Sequence, residues 1–275
     1  MRSLLVALAC TVAAALATAT RATAAQTPSP MLVSPKPGDM ITQSQLLEYL
    51  FVAPQAGDWL RYRVSIDGKT LLVKKIGFGA EQLHDALHAY FETQTQTAGL
   101  VGEPVEAHQV AGGTLIWKMF VDAPDFNDAR RDYAFVAGII KIGDAVFRLG
   151  TGPGQPLSAP SQTVQSLVLY GTLPLPDDRP GVVTSSTPQD VQVGGGVVHT
   201  VHTTVDFAAH DIGMATGLPQ ARIETWQTTD VPLGVVAIRS TTNGHVYSVD
   251  LTAFGRNAYR SLITEQFDTI PLFPG

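Results

Sequence analysis

The chain has 275 residues, 45% of them apolar, and carries 18 Lys and Arg against 24 Asp and Glu, a formal charge of −6. An acidic chain without a basic run excludes nucleic acid as a partner, because phosphate contacts need clustered cations. A chain of this length buries a core without covalent staples, and its one cysteine, Cys10, provides neither a disulfide framework nor a cysteine metal site.

Residues 1–25 read as a signal peptide. Arg2 supplies the positive start, an apolar run covers 4–17, and Ala22-Thr23-Ala24 or Thr23-Ala24-Ala25 offers the small-residue cleavage site. The expected destination is a periplasm or the cell exterior. The apolar run falls short of the ~20 residues a span requires, so no membrane span is expected. Ala7-Leu8-Ala9-Cys10 lacks the leucine at the third position before the cysteine of a lipoprotein signal. Removing Arg2 and Arg21 with the leader leaves 16 basic residues against 24 acidic ones, a charge of −8.

Residues 26–39 carry four prolines and form an extended lead-in. Thr42 then caps a helix over 43–52, with Leu46, Leu47, Tyr49 and Leu50 on its apolar side. Segments 59–66 and 69–76 flank Asp67-Gly68, a two-residue hairpin turn. Over 81–95, Leu83, Ala86, Leu87, Tyr90 and Phe91 recur at helical spacing, which predicts an amphipathic helix lying on a sheet.

Strands are predicted at 114–121, 133–142, 145–149, 197–207 and 222–228, with Gly143-Asp144 turning the second into the third. The Pro/Gly/Ser-rich stretches 151–160 and 173–188 read as surface loops, and 164–170 fits helix or strand equally. Across 223–254 the alternation around Asn243-Gly244 specifies a long hairpin. It sets Val236, Ile238 and Ser240 opposite Leu251, Val249 and Tyr247 on a core face. Ala237, Arg239 and Thr241 then oppose Asp250, Ser248 and Val246 on a wet face, where Arg239 suits a weak surface pair with Asp250. No repeat of solenoid length is present, so residues 40–275 read as one domain. The predicted class is α+β, mainly antiparallel β.

Candidate chemistry is sparse. His84 and His88 stand four apart on the predicted helix, a spacing that lets two imidazoles share a metal, yet Asp85 follows His84 where H-E-x-x-H needs glutamate. His199 and His202 point to opposite faces of a strand and cannot chelate one ion. His210-Asp211 has no G-x-S-x-G partner. The acidic run Asp122, Asp125, Asn127, Asp128, Asp132 lacks the glycine and distal glutamate of a calcium loop, and Arg130 and Arg131 sit within it. Gly150 to Gly154 and Gly194 to Gly196 lack the lysine and helix start of a phosphate cradle. Trp59, Trp117, Met119 and Trp226 lie on predicted strands, where they would line an apolar cavity suited to acyl chains if the sheet curves around them. Core packing explains the same residues.

From 191 to 255 one pattern recurs in exported bacterial β-proteins: a glycine-led turn into a strand (Gly194 to Val205), Glu224-Thr225-Trp226, Val231-Pro232-Leu233-Gly234, and a hairpin ending at Phe254-Gly255. With Gly57-Asp58-Trp59-Leu60-Arg61-Tyr62 opening the first hairpin, the chain resembles the group with the fold of the periplasmic lipoprotein carriers LolA and LolB. That resemblance implies a strongly curved sheet or half-open barrel with two or more helices against its concave side, and a lipid-binding cavity. The expected function is non-catalytic binding of an apolar or lipid-like ligand without a cofactor. The alternatives are an envelope interaction or assembly protein with a protein partner, and a metal-dependent hydrolase using His84 and His88.

Overall fold

The computed structural model describes residues 34–83, 86–97, 115–128, 131–149, 179–209 and 219–272. In chain order the first elements are β1 (Met40–Ile41), α1 (Gln43–Glu48), β2 (Trp59–Ile66), β3 (Lys69–Leu83), β4 (Ala86–Thr97), β5 (Leu115–Val121), β6 (Phe135–Ile142) and β7 (Ala145–Leu149). There follow β8 (Gly181–Val193), β9 (Gly196–Phe207), β10 (Ala221–Gln227), β11 (Val235–Thr242), β12 (His245–Gly255) and a 3-10 turn, Phe267–Thr269. All twelve strands form one antiparallel, unclosed sheet in the order β1-β8-β9-β10-β11-β12-β2-β3-β4-β5-β6-β7. It consists of two up-and-down meanders, β2–β7 and β8–β12, fused where β12 pairs with β2, with the short β1 added at the edge beside β8.

The two-residue turns behave as their chemistry demands. Asp67 and Gly68 have φ of 49° and 76°, and Asn243 and Gly244 have 52° and 79°, the left-handed angles whose twist matches the flanking strands. The Asn-Gly register is the predicted one: Ile238 faces Val249, Ser240 faces Tyr247, Arg239 faces Ser248 and Thr242 faces His245. The two turn tips bind each other, the Asp67 carboxylate accepting the Val246 N–H at 2.8 Å and contacting His245 Nδ1 at 2.8 Å. The Val246 amide, and then His245, hold that carboxyl below its usual range.

Two or more helices against the sheet are not found among the described residues. These are 61% strand and 5% helix, with no helix of seven or more residues, and so are nearly all β rather than α+β. Thr42 does cap α1 through a capping box with Gln45, but the helix stops at Glu48. The predicted helix over 81–95 is instead the end of β3 and most of β4, paired from Leu72 with Thr97 to Leu83 with Ala86. Tyr90 and Phe91 are both buried, on opposite faces, while Leu87 is half exposed. A strand buried on both faces gives an unbroken apolar run that mimics helical spacing. The loop expected over 173–188 is overturned from Gly181 onward, which is strand. Pro188 is tolerated there because β1 pairs only with Gly181 and Val182, which leaves one side of β8 open at Pro188, an edge setting that admits proline.

Alternation divides the sheet into two faces. The core face buries Leu60, Tyr62, Val64, Ile76, Phe78, Val205, Ile223, Ile238, Val249 and Leu251 against Leu46 and Leu47 of α1 and Val231 and Leu233. Gln227 fastens α1 by donating to the Leu47 carbonyl at 3.1 Å, and the Tyr62 hydroxyl crosses β12 to the Val235 carbonyl at 2.8 Å. On the other face a smaller cluster, Leu83, Tyr90, Ile116, Phe120 and Ile139, packs beneath Ile263 and Ile270 of the segment that follows β12. That segment is a strap. Glu92, with no exposed surface, accepts from the Tyr259 and Ser261 hydroxyls and from the Leu262 N–H. Lys118 beside it is 1% exposed and pairs with Glu81. Buried charges persist only with partners of this kind.

On the core face Lys74 is level with Tyr62 and Thr95, and burial pushes its ammonium down to about 7 from 10.5. Between those pH values the unfolded chain holds a proton that the folded chain lacks, so this group makes stability rise with pH from about 7 toward 10.5. Urea denaturation of the wild type and Lys74→Met at several pH values from about 7.5 to 9.5 isolates that slope. The wild type should rise more steeply than the variant, and equal slopes would contradict the burial of a neutral amine.

Candidate functional site

The register places Arg61 of β2, Lys75 of β3 and Gln94 of β4 in one row on the strap face, with Ala253 of β12 beyond Arg61. Val73 and Gln96 pair with each other in the next row and Trp59 begins the row on the other side. These seven residues line a recess of about 310 Å³, at the lower end of small-molecule sites, which run from ~300 to 1,000 Å³.

Two glycines shape its walls. A Cβ on Gly255 would lie 2.4 Å from the Trp59 indole nitrogen, and one on Gly77 would lie 2.2 Å from the Tyr259 ring. Only bare backbone lets both rings lie flat on the sheet. Lys75 Nζ sits between them, 5.1 Å from the Trp59 ring and 5.6 Å from that of Tyr259, within cation–π range. Tyr259 is anchored by Glu92, and burial followed by that carboxylate pushes its phenol far up. The strap is seated at its start too: the Ala258 and Tyr259 amides donate to the Gly57 carbonyl, and Arg256 reaches the buried Asp58 carboxylate at 3.3 Å. Among the described residues neither Arg61 nor Lys75 has an acidic partner. In the Val73 row, Arg63 stands opposite Asp250.

The four aromatic and Met positions singled out in the sequence do not converge. Trp59 alone lines the recess. Trp117 and Met119 project from β5 to the core face, opposite Thr93 and Phe91. Trp226 lies on the strap face but three strands from β2, stacked on His202 with ring centroids 4.2 Å apart. Its indole donates to Gln189 at 2.9 Å, and Arg239 sits 4.9 Å over its ring instead of pairing with Asp250.

His88 lies on β4 with Nδ1 2.8 Å from the Val121 carbonyl, and His84 falls outside the described residues, as do His210 and Asp211. His88 belongs to β4 and not to a helix, so the helical one-turn spacing that suggested a shared metal does not apply to it. His199 contacts Asp190 at 2.7 Å, which raises its pKa, and His202 contacts Glu224 at 3.2 Å on the opposite face. In the acidic loop Asp122 accepts the Ala134 N–H and pairs with Arg131, while Asp125 accepts the Asn127 N–H. Among the described residues no three His, Cys, Asp or Glu side chains are grouped to hold a metal. Gly194 and Gly195 form the β8–β9 turn with φ of 57° and 86°. No described helix is long and apolar enough to cross a membrane.

No family model, curated protein or solved structure matches the chain. The site residues beyond Trp59 are absent from the sequence reading because a bulge hides them. Counting back from Asp67-Gly68 sets Arg61 opposite Lys74, whereas a register shift at Val64 and Ser65 sets it opposite Lys75.

The recess wall depends on Tyr259 resting on Gly77. Gly77→Ala should cost about 1–3 kcal/mol by overpacking, and much of that loss should vanish in a Tyr259→Ala background, where nothing occupies the ring's place. A double-mutant cycle in urea measures this. Additive losses would mean that the ring is not seated there.

Proposed function

We propose that this protein is an exported, non-catalytic binding protein of the cell envelope, and that it holds a lipid-like ligand in the recess beside Trp59. The observation that carries the reading is the lining itself. An indole face, Val73 and Ala253 offer apolar contact, and Arg61, Lys75, Gln94 and Gln96 ring them with polar ends. Such a lining binds and orients an amphiphile, since a few placed polar groups around apolar surface give affinity and direction together. The volume fits the head and first carbons of a chain.

The export leader read at residues 1–25 supports the envelope assignment. The resemblance to lipoprotein carriers points to the same ligand class, but of the two or more helices it implies the described residues hold only the six-residue α1. The reading therefore rests on the recess rather than on the likeness.

Thermal unfolding of delipidated mature protein with and without 1-decanol tests it. A ligand at 100 times its Kd stabilises the folded state by about 2.7 kcal/mol, so the midpoint should rise, and Trp59→Ala should lose most of that rise. An unchanged midpoint, or an equal rise in the variant, would overturn the proposed site.

A further inference from the structure

We infer that the polar end of the ligand is an anion, a carboxylate or phosphate group, gripped between Arg61 and Lys75; this deepens the proposed function and rests on the recess being the binding site. Arg61 and Lys75 are directly opposite on neighbouring antiparallel strands. Like charges so placed repel each other, and no described acidic side chain neutralises either of them. On one side Glu92 lies in the next row, with both oxygens committed to the strap through Tyr259, Ser261 and Leu262. Asp250 stands opposite Arg63, one row away on the other side.

The lysine is held in place by more than solvent. Trp59 and Tyr259 flank its ammonium, and both rings keep their positions because Gly255 and Gly77 have no side chain. The floor of the recess thus presents two cations and, one strand further, the Gln94 carboxamide, whose NH₂ group is a donor. An entering anion relieves the repulsion and makes charge-assisted hydrogen bonds, about twice as strong as neutral ones. A neutral head makes only the neutral bonds, and a cationic head meets two like charges.

Calorimetric titration of the delipidated mature protein with chain-matched probes below their micelle concentrations tests the assignment. The probes are sodium decanoate, 1-decanol, decyltrimethylammonium and inorganic phosphate. Decanoate should bind on the order of tenfold or more tighter than decanol, as charge-assisted bonds require, and decyltrimethylammonium weakest. Arg61→Gln with Lys75→Gln should bring decanoate down to the level of decanol. Gln94→Glu, which adds the missing counter-charge and keeps both cations, should weaken decanoate more than decanol and so narrow the gap between them. Equal binding of decanoate and decanol, or decanoate binding unaffected in both variants, would overturn the anion assignment while leaving the lipid-like reading standing. Tight binding of phosphate without either alkyl probe would uphold the anion site and overturn the lipid-like reading. Binding of none of the four would overturn both.

Discussion

The pairing of β12 with β2 is the constraint on which the rest depends. It joins residues 247–255 to 59–66, across nearly the whole chain, and turns two meanders into one sheet. Loop-closure entropy opposes so distant a contact, and the structure offsets it in several places along the seam. Asp67 ties one turn tip to the other through His245 and Val246. The Tyr62 hydroxyl reaches over β12 to β11. At the far end Gly57 and Asp58 receive the backbone and Arg256 of the strap. Without this seam the recess loses Ala253 from one wall, and Trp59 loses the bare backbone of Gly255 on which its ring lies.

The same seam explains why the strap face carries the site. On β3, Gly77 and Gly79 leave a trough, and Tyr259 and Tyr90 fill it with rings. Glu92 fixes the strap at the cost of a fully buried carboxylate, a cost offset by its three donors. The aromatic wall is thereby held rigid, and Lys75 is held with it. The recess is thus built by residues whose own interactions are satisfied elsewhere, which leaves Arg61 and Lys75 as the charges without a described acidic partner.

Local chemistry was legible in the sequence wherever it was decisive. Asp-Gly and Asn-Gly gave both turns, the alternation after Asn243-Gly244 gave the register and the buried face, and Thr42 gave the cap of α1. The errors arose where one signal served two structures. The run Ala89-Tyr90-Phe91 is buried on both faces of a strand, so helical and strand periods coincide there. The stretch from Gly181 to Pro188 reads as loop by its Ser, Thr and Pro, yet it belongs to strand β8, which keeps its ladder to β9. The candidate site was least legible. Its row of cations depends on a bulge at Val64 and Ser65 that leaves Leu71 outside the ladder, and its walls depend on a strap ring meeting a glycine almost two hundred positions earlier in the chain. Neither follows from spacing within one segment.

Native mass spectrometry of the mature protein, purified without detergent from the cells that make it, tests the account most directly. Denaturing release should follow, to identify whatever is bound. The account predicts one stoichiometric amphiphile with an acidic head, lost in the Trp59→Ala protein. A bare polypeptide mass, or a bound species retained unchanged in that variant, would contradict it.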